Sequence, residues 1–444
     1  MPASTALLTD HYELTMLQAS LSDGTAGRRS VFELFARRLA PGRRFGVVAG
    51  TGRALDALEQ FRFGATEVEW LREHEIVDGA TCDWLSEYRF GGDVWGYPEG
   101  EMYFPSSPVL VVEGTFAETV LLETLLLSIL NHDSAVASAA ARMIGAAAGR
   151  PCIEMGSRRT QEWSAVAAAR AAYIAGFATT SNLEAGRTHG IPTAGTSAHS
   201  FTLVHDTERD AFTSQVESLG AGTTLLVDTF DIAEAVRVGV EVAGPELGAV
   251  RIDSGDLVSL AHRVRAQLDE LGATDTRILV TSDLDEHAIA TLAAAPVDGY
   301  GIGTALVTGS GAPTSGFVYK LVAREDDTGT LVPVAKKSTE KLSVGGRKYA
   351  LRRRSASGRA EAEVLRWGHL PLAGDGDPPS HDGDDRTLLV PLVEAGRRVH
   401  QDTLDDARAR HRAALDELPD AARKLSRGEP VIETVFEGDL SSSS

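Results

Sequence analysis

Between residues 225 and 304 the chain repeats one pattern, and that repeat limits the folds open to it. Residues 225–229 (LLVDT), 249–256 (AVRIDSGD), 277–283 (RILVTSD) and 297–304 (VDGYGIGT) each carry apolar residues and then end in Asp, Ser, Thr or Gly. The first three lead into helical periodicity over 231–242, 257–271 and 285–293. A strand followed by a crossover helix builds a parallel sheet, and polar residues collected at strand C-termini mark the rim of an α/β barrel. A doubly wound open sheet gives a similar string. No Gly-x-Gly-x-x-Gly follows the first strand, which disfavours the dinucleotide-binding version.

The pattern begins earlier, at about residue 150. Residues 152–155 (CIEM) read as a short strand, and 156–160 (GSRRT) turn into a helix over 161–175. Arg158 and Arg159 stand near that helix's N-terminus, where cations oppose the dipole. Two of them there suit a bound anion, although solvated arginines explain them as well. Residues 191–194 (IPTA) are of strand type and are followed by 195–205, so His199 is expected where a strand gives way to a loop. Gly195, Thr196, Ser197 and Ala198 are small and let another molecule approach the backbone. An imidazole on such a ledge can act as a base, a nucleophile or a phosphate acceptor. A capping or core histidine is the plainer alternative.

Outside the repeat the chain has a different texture. Thr9 or Asp10 can cap a helix with Leu14, Met16 and Leu17 on its apolar side. Tyr12 stands at its start. Residues 30–36 alternate like a half-buried strand, arginines cluster around Pro41-Gly42, and 90–112 read as a small all-β lobe. Residues 115–131 and 134–149 are expected as a pair of helices. Three parts follow: 1–127, β-rich with a first helix; 128–330, the α/β barrel; and 331–444, a C-terminal segment. That segment holds a basic hairpin over 336–347 with a Gly345-Gly346 turn, a Gly/Pro/Asp-rich mobile loop over 373–385, a helix, and a disordered tail over 441–444.

Composition narrows the partners. With 43 basic and 63 acidic residues the net charge is −20, which argues against nucleic acid and anionic membranes. Any phosphate site must therefore concentrate positive charge locally. Cys82 and Cys152 make neither a metal pattern nor a disulfide framework. No basic-then-apolar leader opens the chain, and the most apolar helical run, 120–130, carries Glu123 and is short for a bilayer. A cytoplasmic enzyme is expected.

The strand ends supply a coherent inventory. Arg251, Asp253 and Asp256 surround Ser254-Gly255; Ser282 and Asp283 add a hydroxyl and a carboxylate; Gly301, Gly303 and Thr304 offer backbone N–H groups where barrels commonly hold phosphate. With Arg158 and Thr196, these residues suit a phosphorylated sugar, and the carboxylates suit ribose hydroxyls or Mg²⁺.

Thr9-Asp-His-Tyr12, Glu154-Met-Gly-Ser-Arg-Arg159, Gly195-Thr-Ser-Ala-His-Ser-Phe201, Arg251-Ile-Asp-Ser-Gly-Asp256 and Gly301-Ile-Gly-Thr304 stand in the order seen in nicotinate phosphoribosyltransferases. The chain resembles that family from about residue 7 to 355. The resemblance implies an incomplete parallel α/β barrel of the type II phosphoribosyltransferases. It implies also a β-rich domain built from the N-terminal segment and part of the C-terminal one, and a head-to-tail homodimer with shared active sites. The implied reaction joins nicotinate to phosphoribosyl pyrophosphate, giving nicotinate mononucleotide and pyrophosphate, the first step of NAD salvage from nicotinate. ATP is the implied co-substrate, Mg²⁺ the implied cofactor, and His199 the residue that ATP phosphorylates. By the same resemblance Tyr12, from the partner subunit, and Arg158 lie by the nicotinate ring and carboxylate. Arg251 faces the substrates, Asp253 with neighbours such as Asp256 serves ribose or Mg²⁺, and Gly303 and Thr304 hold the 5′-phosphate.

Three alternatives stay open on the residues alone. One is a phosphoribosyltransferase for nicotinamide or quinolinate. Another is a barrel aldolase or isomerase, although the strand ends carry no lysine for a Schiff base. The third is a nucleotide-sensing relative without turnover.

Overall fold

The computed structural model describes residues 4–336, 344–369 and 385–438. They form two compact units, one of residues 1–138 and 314–444, the other of residues 139–313.

The first unit is built from both ends of the chain. Its larger sheet runs Leu331–Pro333, Phe317–Glu325, Arg29–Ala36, Leu110–Thr115, Asp93–Gly96, Val390–Glu394, Arg397–Arg398, antiparallel throughout. A four-stranded sheet uses Arg386–Thr387, Lys348–Arg354, Ala360–Trp367 and Glu433–Glu437. One apolar core, including Leu34, Val111, Leu122, Tyr319 and Val364, joins strands from the two ends. Two helices matter below. Helix α1 (His11–Asp23) buries Leu14 and Leu17, whereas Met16 points outward with Tyr12 four residues before it. Helix α2 (Glu123–Ala147) merges the two expected helices into one. Its interior lacks proline, and the polar step at 131–133 does not break it because Asp133 is satisfied by Arg53 and His132. Together with the capped turn before it, the segment Phe116–Ala147 is long and apolar enough to cross a membrane, unlike the short run expected. However, 61% of its most apolar window is buried inside the protein, as in a core helix.

The second unit holds six parallel strands, β1 (Cys152–Glu154), β2 (Thr179–Thr180), β3 (Thr224–Leu226), β4 (Ala249–Ile252), β5 (Arg277–Val280) and β6 (Gly299–Ile302). They lie in the order β2–β1–β6–β5–β4–β3, and the edge strands β2 and β3 do not pair, so the barrel is incomplete. The strands are short and mostly buried, as expected for a parallel sheet covered by crossover helices. Residues 191–194 are not a strand. They make a single bridge, Thr193 to Thr180, because Pro192 has no N–H to extend a ladder. His199 accordingly opens a short helix, α3 (His199–Leu203), instead of closing a strand.

The polar residues after the strands fall into two groups. Asn182, Asp231, Asp256 and Asp285 cap the following helices, each accepting a backbone N–H. The others turn toward the strand ends. The expected basic hairpin, the 373–385 loop and the tail lie wholly or largely outside the described residues. Of the first, Arg347 is described, and it is buried with Lys348 against Glu113 and Glu33.

Candidate active site

A cleft of about 420 Å³ opens at the C-terminal ends of the parallel strands. Its walls come from the loops after β1, β4, β5 and β6 and from the ledge at 194–199. Arg158, Arg159 and Arg251 face Asp253 and Asp283 there, so positive charge is gathered locally in a chain whose net charge is −20. The cleft brings together His199, Arg251, Asp253, Arg158, Thr196, Ser282, Asp283, Gly301, Gly303 and Thr304. Two expected residues are not among its lining. Asp256 is exposed and caps α4 (Leu257–Glu270) by accepting from the N–H and hydroxyl of Ser259. Tyr12 belongs to the first unit and is 44% exposed.

The imidazole of His199 has a polar neighbour on each side, with a hydrogen bond on one of them. Nδ1 lies 3.2 Å from the Thr229 hydroxyl, and Nε2 lies 3.9 Å from Oδ1 of Asp228. Asp228 is itself fixed: its Oδ2 accepts from Asp253 N at 3.0 Å and from the Ser254 hydroxyl at 2.8 Å. Its side chain is 2% exposed, while His199 is 41% exposed. The result is a buried carboxylate facing an accessible ring. Asp228 and Thr229 were not singled out in the sequence, although LLVDT ends in the same polar way as AVRIDSGD.

Arg251 extends from β4 under the ledge, donating from Nη1 to the Thr196 hydroxyl and to Ser197 O at 3.1 Å. Its Nε is buried with no hydrogen-bond partner among the described residues. Burial holds its pKa below the usual arginine value, and the nearby Arg158 pushes the same way against Asp253 and Asp228. An unmatched guanidinium beside a second one favours an anionic ligand.

The Arg158 loop is anchored by a residue whose role the sequence did not reveal. Glu154, at the end of β1, is fully buried and accepts from Gly156 N and, at 2.5 Å, from the Thr180 hydroxyl. Burial raises its pKa despite both donors. Asn182 adds a hydrogen bond to the Ser157 hydroxyl at 2.9 Å. On the opposite wall Thr281 donates to Oδ1 of Asp253. Ser282 adopts φ 142°, a conformation uncommon for a residue with a side chain and typical of strained functional loops. Gly301 admits no side chain, since a Cβ would sit 2.5 Å from Thr281 Cγ2 and 2.7 Å from Met155 Sδ. The cleft floor is therefore bare backbone.

Residues 7–131 match the nicotinate phosphoribosyltransferase N-terminal domain, and 151–354 match the nicotinate phosphoribosyltransferase family. A nicotinate phosphoribosyltransferase of Mycobacterium tuberculosis is 57% identical over 436 residues, covering 96% of this chain and 94% of the relative. The chain belongs to the nicotinate phosphoribosyltransferase family. A nicotinate phosphoribosyltransferase of Bacillus subtilis is 37% identical, with 79% of this chain and 73% of the relative covered. The crystal structure of human nicotinic acid phosphoribosyltransferase superposes with a TM-score of 0.81 at 26% identity, covering 98% of both chains. A nicotinate-nucleotide pyrophosphorylase from Pyrococcus furiosus, at 24% identity and a TM-score of 0.76, shares the fold. Every cleft-lining residue lies within the stretch matched to the nicotinate phosphoribosyltransferase family, and Tyr12 lies within the stretch matched to its N-terminal domain.

Proposed function

We propose that this enzyme joins nicotinate to phosphoribosyl pyrophosphate, releasing pyrophosphate and forming nicotinate mononucleotide, with ATP hydrolysis coupled through phosphorylated His199. The observation that carries the reading is a histidine held between Thr229 and buried Asp228, facing a cleft with three arginines. The reaction breaks the bond between the anomeric carbon and the pyrophosphate oxygen, and the pyridine nitrogen forms the new bond. No protein nucleophile is needed at that carbon, so the residues bind, orient and stabilise charge. Arg158 pairs with the nicotinate carboxylate, and Arg251 faces the phosphorylated sugar. Asp253 and Asp283 meet the ribose hydroxyls, while Ser282 and the backbone at Gly301, Gly303 and Thr304 meet the phosphate.

His199 has a separate task. Asp228 favours the ring proton on Nε2, which leaves the Nδ1 lone pair, beside Thr229, to attack the γ-phosphorus of ATP. ADP leaves as the N–P bond forms, and water later cleaves that bond to release phosphate. Phosphorylation favours the state that binds phosphoribosyl pyrophosphate tightly, and hydrolysis favours product release.

Among the described residues no group of three or more His, Cys, Asp or Glu is placed to hold a metal alone. That suits Mg²⁺, which commonly uses one or two carboxylates plus substrate phosphates. Asp253 and Asp283 would hold it, and Mg²⁺ when bound neutralises charge on the pyrophosphate leaving group.

We assign the active form as a homodimer in which Tyr12 serves the partner's site. Leu8, Tyr12 and Met16 are 55, 44 and 36% exposed on one side of the α1 region. In the second unit Leu183, Leu203, Val204 and Phe230 are exposed as well. Apolar surfaces of this kind suit cover by a second copy.

A base panel tests the substrate. Phosphoribosyl pyrophosphate, Mg²⁺ and ATP are supplied with nicotinate, nicotinamide or quinolinate, and mononucleotide is measured. Conversion of nicotinate well above the other two is expected. Preference for nicotinamide overturns the role of Arg158, and no turnover with any base overturns the reaction.

A further inference from the structure

The first turn of α1 carries a carboxylate that the reaction as proposed does not use. Glu13 follows Tyr12 directly and is fully buried. It accepts from the Thr9 hydroxyl, from Thr124 N at 3.0 Å and from the Thr124 hydroxyl at 2.5 Å. Thr124 is the second residue of α2, so one buried side chain ties the segment before α1 and the first turn of α1 to the start of α2. A carboxylate at a helix N-terminus is well placed against the dipole. Even so, a buried acid is costly, and an apolar side chain would fill a core position without that cost. The cost is explained if the anchoring itself is used.

Tyr12 gives the anchoring a use. Tyr12 directly precedes Glu13 in the first turn of α1, near Glu123, whose carboxylate lies 3.6 Å from Lys320 Nζ. The Tyr12 ring stays 44% exposed. The ring's direction is set by where the first turn of α1 sits, and Glu13 holds that turn. We propose that Glu13 is a positioning residue for nicotinate binding: its carboxylate pins α1 to α2 and fixes the Tyr12 ring at the angle that meets the pyridine. The proposal rests on the reading that Tyr12 contacts nicotinate. Burial is the largest influence on Glu13 and raises its pKa to about 7, with Glu123 adding to the rise and the threonine donors opposing it. The charged or titratable residues at the two helix starts are Asp10, His11, Tyr12 and Glu123, with Lys320 behind Glu123 and Tyr319 on the adjoining strand.

The test compares wild type with Glu13→Ala, Glu13→Gln, Thr124→Val and Tyr12→Ala, measuring KM for nicotinate and for phosphoribosyl pyrophosphate separately. Glu13→Ala is expected to raise the nicotinate KM by roughly tenfold, the scale of a lost orientation, and to leave the other KM nearly unchanged. Glu13→Gln keeps acceptor oxygen for Thr124 and should recover most of the nicotinate KM. If Glu13→Ala does not fold, Thr124→Val carries the test, with a rise of about threefold expected from losing one of the donors. Equal rises in both KM values, or none in the nicotinate KM, overturn the proposal. A Tyr12→Ala enzyme with normal nicotinate KM overturns the assignment of Tyr12, and the proposal falls with it. If Tyr12→Ala raises that KM and the Glu13 and Thr124 variants do not, the assignment stands and the proposal alone fails.

Discussion

The two units use the same charged residue types to opposite ends. In the first unit Arg352 is fully buried and donates to Glu363 at 2.8 Å and to Met102 O at 3.0 Å. Glu363 also accepts from Tyr97, and Glu101 from Arg386 at 2.7 Å. Lys348 closes on Glu33 at 2.9 Å. These charges form ion pairs with opposite charges inside the core and hold strands from the two ends of the chain together, although Arg352 Nε and Nη1 have no hydrogen-bond partner among the described residues. In the second unit Arg251, Arg158, Asp253 and Asp283 converge on an open cleft, and Arg251 donates there to the neutral Thr196 hydroxyl and Ser197 O instead of to a carboxylate. Charge that is used up internally builds structure, and charge left unmatched at parallel strand ends is available for a ligand.

Substitutions should separate the two regions cleanly. The largest effect is expected from Arg352→Ala, which leaves Glu363 and Glu101 buried with fewer partners. A loss of about 3–5 kcal/mol is expected from chemical denaturation, with normal activity per folded molecule. Arg251→Ala reverses the pattern: kcat/KM should fall by about 10²- to 10³-fold while the denaturation midpoint barely moves. A fall in stability without a fall in kcat/KM would place Arg251 with the structural group.

Glu13 crosses the divide, as a first-unit charge assigned to binding. Its folded-state pKa of about 7 lies above the ordinary 4.5. The folded state therefore holds that proton more tightly than the unfolded chain. Its contribution to stability is complete below pH 4.5 and is lost as pH rises through about 7. Thermal melts should show wild type losing stability relative to Glu13→Gln across that window. Parallel curves for the two proteins would contradict it. The smallest effect is expected from Asp256→Ala, which removes an exposed helix cap. A slight drop in melting temperature with unaltered Mg²⁺ dependence is expected, and a large rise in the Mg²⁺ requirement would return Asp256 to the site.

The parallel half-barrel was legible because its strands are short apolar runs closed by polar residues, a period that few other folds produce. The cleft residues were legible from the same ends. What the sequence could not separate was helix cap from cleft wall: Asp256 and Asp253 occupy the same RIDSGD string, and only the chain's direction after β4 sends one to Ser259 and the other to Thr281. Asp228 escaped notice because its value lies in contacts across strands, with Asp253 N and His199, that no local pattern encodes. Glu13 escaped for the same reason, being anchored 111 residues away. The helix pair at 115–149 was divided at polar residues 131–133, because Arg53, which pairs with buried Asp133, lies 80 residues earlier. Arg347 read as part of a basic hairpin because Glu113, which neutralises it, lies 234 residues earlier.

The central claim is that His199 couples ATP to mononucleotide formation. The direct measurement is mononucleotide formed from nicotinate and phosphoribosyl pyrophosphate, with and without ATP, by wild type and His199→Ala. ATP should accelerate wild type and leave His199→Ala unaffected, with a slow ATP-independent rate common to both. Equal stimulation of the two proteins by ATP would contradict the phosphohistidine mechanism.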